Sequence, residues 1–111
     1  MSGEEQSQYL EVHGINLRIV NLSATCPLNI ELDLEALSID LPNSEYNPEK
    51  YSSLILRMSE GTLLIPRSGK ITSVGLKRKK DIEYSFEKFE DMLQELGISC
   101  NINHSDITIQ N

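Results

Sequence analysis

Cysteine and histidine are scarce: Cys26 and Cys100, His13 and His104 are all there are in 111 residues. No spacing among them suits a metal site. Two thiols so far apart predict reduced, buried side chains rather than a disulfide framework. No apolar run approaches the roughly 18 residues a membrane helix requires. The six glycines are scattered as turn punctuation, with no phosphate loop, no nucleophile elbow and no histidine beside an acid–base pair. An enzyme needs convergent titratable groups, so neither catalysis nor a cofactor is expected. The opening MSGEEQ is polar and acidic, without the apolar core of a signal peptide, and an intracellular chain is expected. In that setting the glycosylation matches at Asn21 and Asn103 are chance.

What is present fits one small globular domain. The chain is 39% hydrophobic and 24% charged, too apolar for a disordered segment and too short for two cores. Ten basic residues face seventeen acidic ones, a net charge of −7, which on average disfavours nucleic acid. The average hides an asymmetry. Residues 1–50 hold two basic and nine acidic residues, whereas Arg57 to Lys80 holds seven basic residues and one acid. A local anion-binding surface therefore stays open.

Periodicity predicts the elements. Residues 9–26 alternate, with parity shifts near Gly14 and at Ile19-Val20, as one bent strand or as a hairpin arm followed by a strand. In 28–41, Leu28, Ile30, Leu32 and Leu34 alternate, but Leu34, Leu37 and Leu41 step like a helix. With Asp33 to cap it and Pro42 to follow, a short helix is preferred. Asn43 to Lys50 reads as a turn-rich link. Ser53–Met58, Thr62–Pro66 and Lys70–Val74 read as a three-strand meander with short Gly/Ser loops. Ile82, Phe86, Phe89, Leu93 and Leu96 step by 4, 3, 4 and 3, a helical stripe closed by Gly97. Ile98–Asn111 reads as a final strand. Lys77, Arg78, Lys79 and Lys80 stand where the macrodipole opposes cations. They are either a solubilising loop or part of an anion site with the helix amides.

Parity sorts the sheet into two faces. Leu22, Ala24, Leu54, Leu56, Met58, Leu63, Ile65 and Ile71 fall on one and can pack under the helices. Asn21, Ser23, Thr25, Ser53, Ile55, Arg57, Leu64, Pro66, Thr72 and Val74 fall on the other. That face is half apolar with no element left to cover it, which favours a partner.

The wording of the chain resembles a known family. The run NSEYNPEKY from Asn43 to Tyr51, then LILRM at Leu54–Met58, Ser68-Gly69-Lys70, and Gly75-Leu76-Lys77 look in order and spacing like one repeat of the TATA-box-binding protein family. Asn21 to Leu34 follows that family's first strand and helix, Leu96-Gly97 the end of its long helix, and Ile109 to Asn111 the junction where its second repeat begins. The resemblance spans residues 18–111, leaving 1–17 as an N-terminal arm or the start of the first strand. It implies an α+β fold: a curved antiparallel sheet with two helices on its convex face, half of a saddle whose concave face lies on the DNA minor groove.

The resemblance also implies site residues. Asn21 falls on the asparagine that reads minor-groove acceptors, and Arg57, Ser68, Lys70 and Lys77 fall on positions that contact the DNA backbone. Tyr51 and Pro66 stand where two wedge phenylalanines are expected. Tyr51 stays aromatic but carries a hydroxyl, and Pro66 can wedge without stacking. Ser23 and Thr72 replace valines that abut bases, Val74 replaces a threonine, and Leu64 shares their face. The Ser59-Glu60-Gly61 loop is shorter than usual. One repeat implies a transcription initiation factor that acts as a homodimer, or beside a second half-saddle protein, on AT-rich double-stranded DNA, alongside other transcription factors. Its place would be the nucleus of a eukaryote, or the cytoplasm or nucleoid otherwise. The alternative is a protein-interaction module of a transcription-related complex that keeps the fold without kinking DNA. The cations of 57–80 discriminate: convergence on the concave rim favours DNA, scatter to the convex side favours a protein.

Overall fold

The computed structural model describes residues 8–12, 15–19, 22–59 and 61–110. The early alternation resolves as a hairpin and then a strand. β1 (Gln8–Val12) pairs with β2 (Ile15–Ile19) from Gln8↔Ile19 to Val12↔Ile15, and β3 (Leu22–Pro27) follows. Helix α1 (Leu34–Asp40) starts where Asp33 accepts from the Ala36 amide at 3.2 Å, satisfying one orphan donor of the first turn. The link after it is not all turn: Ser44–Glu45 forms a two-residue strand, β4, too short for any pattern to reveal. Next come β5 (Leu54–Met58), β6 (Gly61–Ile65), β7 (Lys70–Leu76) and the long helix α2 (Lys79–Glu95). The last stretch is corrected as well. Among its described residues only Thr108–Gln110, β8, is a strand, preceded by a 3₁₀ turn at His104–Asp106.

The six main strands form one curved antiparallel sheet in the order β4-β5-β6-β7-β3-β8. Its register runs from Ser44↔Leu56 and Leu54↔Ile65 through Leu64↔Thr72 and Thr25↔Thr72 to Thr25↔Thr108. A bulge between β3 and β7 lets Leu22 face Leu76 while Ala24 faces Ser73. Gly75 takes φ 88° there, a backbone that a side chain disfavours.

One face of this sheet is covered. Ala24, Cys26, Leu54, Leu56, Leu63, Ile65 and Ile71 are buried with Leu34 and Leu37 of α1 and Ile82, Phe86, Phe89 and Leu93 of α2. Leu96, the last of the expected stripe, is exposed because α2 has ended. Gly97 (φ 84°) donates to the Gln94 carbonyl at 3.0 Å and Ile98 donates to Leu93 at 2.9 Å, which closes the helix and reverses the chain. Cys26 and Cys100 are free and buried. Burial, helped by Asp106 and Glu90, pushes the Cys26 thiol up to about 11; burial and Glu90 raise that of Cys100. Such thiols are poor nucleophiles. Ser73 is buried among the apolar residues, its hydroxyl without a partner among the described residues. No helix among the described residues is long and apolar enough to cross a membrane.

Candidate nucleic-acid interface

The helix-free face is built from two cross-strand rows. Register places Glu45, Ile55, Leu64, Thr72, Thr25 and Thr108 side by side across all six strands. A second row holds Arg57, Thr62 and Val74, with Ser23 and Gln110 beyond the bulge. Ser23, Thr25, Ile55, Thr62, Leu64, Thr72 and Val74 are half-buried, and the buried residues of both helices cluster with the opposite face. The centre is therefore neutral: three aliphatic side chains among hydroxyls.

The remaining expected residues gather at the two ends of the strands. Leu54 pairs with Ile65 and Pro27 with Lys70, so Tyr51, Pro66, Ser68 and Lys70 share one end. Pro66 is half-buried, and its carbonyl accepts from Gly69 at 3.1 Å in the tight turn that carries Ser68. Tyr51 is 44% exposed, with its amide held by the Asn47 carbonyl at 2.9 Å. Arg57 and Lys77 are at the opposite end, where Arg57 pairs with Thr62 and Leu76 with Leu22. Asn21 lies outside the described residues.

The cations neither converge nor all scatter. Arg57 reaches across β5 to β4, its Nη1 3.1 Å from Glu45 Oε1, with both side chains more than half exposed. Arg67 lines an open hollow with Glu31, Asp33 and Glu35. Arg78, the N-cap of α2, donates to Asp81 at 2.9 Å and provides no side-chain cap. Lys70 and Lys77 are exposed and without an ion pair among the described residues. Sequence reasoning missed four residues of this face. Thr62 carried a visible signal in its parity with Leu64. Glu45, Thr108 and Gln110 did not, because their strands are only two and three residues long.

The same architecture recurs among known proteins. Residues 16–96 match the family described as transcription factor TFIID, or TATA-binding protein. A TATA-box-binding protein of Pyrobaculum calidifontis is 36% identical over 100 residues, covering 88% of this chain and 50% of its own length. Its counterpart in Schizosaccharomyces pombe is 35% identical over 109 residues, covering 96% and 46%. The solved structure of Methanococcus jannaschii TBP superposes with a TM-score of 0.72 at 35% identity, over 83% of this chain and 53% of that one. The chain spans about half the length of these relatives. Fold and sequence agree, and the chain belongs to the TATA-box-binding protein family.

Proposed function

We propose that the chain is a transcription initiation factor that binds AT-rich double-stranded DNA in the minor groove as a dimer, formed with its own copy or with a second half-saddle protein. The observation that carries this reading is the uncovered sheet face, neutral and partly apolar at its centre with cations at both strand ends. A minor groove presents base edges and sugars between two phosphate backbones. Aliphatic and hydroxyl side chains suit the floor of such a groove, and Lys70 at one end with Arg57 and Lys77 at the other suit its two walls. In this reading Ser23, Leu64, Thr72 and Val74 abut the groove, Tyr51 and Pro66 are the wedges, Ser68 contacts backbone, and Asn21 reads adenine and thymine acceptors. The factor works where the DNA is, in the nucleus of a eukaryote, or in the cytoplasm or nucleoid otherwise, with other transcription factors as partners.

One observation favours the second reading, a protein-interaction module without DNA kinking. Glu45 stands on the face and neutralises Arg57, and a carboxylate there repels phosphate.

A salt titration separates the two. Each duplex phosphate contact contributes about 0.9 to the slope of log affinity against log salt, so three cations used twice give a slope on the order of five. Lys70→Ala with Lys77→Ala is expected to weaken binding on every sequence and to bring the slope to roughly two by the same rule. Asn21→Ala is expected to relax the preference for AT-rich over GC-rich duplexes and leave the slope alone. Binding to neither duplex at low salt and micromolar protein would leave the interaction module as the function.

A further inference from the structure

Among the described residues, Glu45 is the one acid in the two rows of the helix-free face. It stands on β4, the outermost strand on its side of the sheet, and register sets it beside Ile55. Arg57, two residues further along β5, shares that face, and its Nη1 donates to Glu45 Oε1 at 3.1 Å. Neither side chain makes another hydrogen bond among the described residues, and both are more than half exposed. A guanidinium carries five N–H donors and a carboxylate two acceptor oxygens. The pair therefore presents an acceptor with donors beside it.

Position decides which part of a duplex this pair meets. Lys70 stands at one end of the strands and Arg57 and Lys77 at the other. A groove walled by these cations runs across the strands, along the rows. β4 then meets one end of the footprint, and Leu64 and Val74 of β6 and β7 meet its middle. Hydroxyls along the rows both donate and accept, aliphatic side chains do neither, and an ionised carboxylate only accepts. An A·T pair offers only acceptors to the minor groove, whereas a G·C pair adds one donor, the guanine 2-amino group. Beneath Glu45, an A·T pair sets acceptor against acceptor, and a guanine amine supplies the missing donor. Beneath Leu64 or Val74 the same amine would lose its water and gain no partner. Arg57 offsets the charge of the acid near phosphate, and its remaining donors are left for the backbone wall.

We propose that Glu45 is a specificity-determining residue that accepts a hydrogen bond from a minor-groove amine, so that the chain prefers a guanine at the outer end of an otherwise AT-rich site. The proposal rests on the DNA reading above and refines it. Preference for A·T belongs to the neutral middle of the face and reverses at the β4 end. Glu45, which alone would only repel phosphate, has a partner on the bases.

The test measures binding of the unmodified chain and of Glu45→Gln, at one salt concentration, to AT-rich duplexes in which one pair at a time is changed. 2,6-Diaminopurine opposite thymine adds the minor-groove amine to an A·T pair and leaves the major-groove edge alone. Inosine opposite cytosine removes that amine from a G·C pair. With guanine or diaminopurine at the outer pair, the unmodified chain is expected to bind about tenfold more tightly than the parent duplex, the low end for a hydrogen bond to a charged group. Inosine there is expected to abolish the gain. Glutamine keeps the length of the side chain but donates as well as accepts, so Glu45→Gln is expected to bind these duplexes about equally. Comparing duplexes within each protein cancels the charge that the variant removes. No gain from the amine at an outer pair, or the same gain in Glu45→Gln, overturns the role of Glu45 and leaves the DNA reading standing. Binding to no duplex of the set overturns the DNA reading and this role with it.

Discussion

Replacing Phe89 by alanine is expected to cost about 3–5 kcal/mol, the usual loss when a fully enclosed aromatic leaves a cavity. Phe89 has no solvent exposure and lies in the α2 stripe with Ile82, Phe86 and Leu93, all equally enclosed. It belongs to one buried cluster with residues of the sheet and of α1, and close packing of such a core leaves little room for collapse. A domain of this size has roughly 5–15 kcal/mol of stability in all, so the variant should sit near the edge of unfolding. Urea denaturation of Phe89→Ala beside the unmodified chain measures the difference at the transition midpoint. A loss near zero would mean that α2 turns another face to the sheet.

Gly69→Ala should be nearly as damaging although it adds only a methyl group. Gly69 holds φ 86°, and a Cβ there would lie 2.2 Å from the Ile30 carbonyl oxygen. That oxygen is backbone and cannot rotate aside. The turn is also bonded on both flanks: Leu28 donates to the Gly69 carbonyl and Leu32 to the Arg67 carbonyl, both at 2.9 Å. Left-handed backbone costs an alanine about 1–2 kcal/mol and forced overpacking typically about 1–3 more, roughly 2–5 together. A domain of about 100 residues loses several degrees of melting temperature per kcal/mol, so thermal unfolding should shift down by about 10 °C or more. Ser68 and Lys70 flank the strained residue, so duplex binding should fall with it. A variant that melts with the unmodified chain would show that the link through Ile30 yields easily.

Elements whose own side chains carry a period were legible in the sequence. The stripe through Phe86 and Phe89 required a helix, and Asp33 and Gly97 marked helix ends that the hydrogen bonds confirm. Alternation through β5, β6 and β7 sorted buried Leu54, Leu56, Leu63, Ile65 and Ile71 from the open face. What escaped depends on neighbours distant in the chain. β4 exists because Ser44 and Glu45 pair with Leu56 and Ile55, and no two-residue segment shows a period. Residues 98–103 alternate like a strand yet form none, because ties to Gln94 and Glu90 of α2 hold them in place of a sheet ladder. The seven cations from Arg57 to Lys80 have a net charge that can be counted, but not a direction. Only the fold shows that Glu45 engages Arg57, that Asp81 engages Arg78, and that Lys70 and Lys77 stand at opposite ends of the sheet face.

The function proposed above is that this chain, which spans about half the length of its relatives, binds AT-rich DNA as a dimer. The mass of the complex on a short AT-rich duplex at low salt tests it most directly, with a GC-rich duplex of equal length beside it. The expected mass is that of one AT-rich duplex plus two protein units, either two copies of this chain or one copy with a supplied second half-saddle protein, with little complex on the GC-rich duplex. An AT-rich duplex whose mass is unchanged by micromolar protein, with and without that second protein, would contradict it.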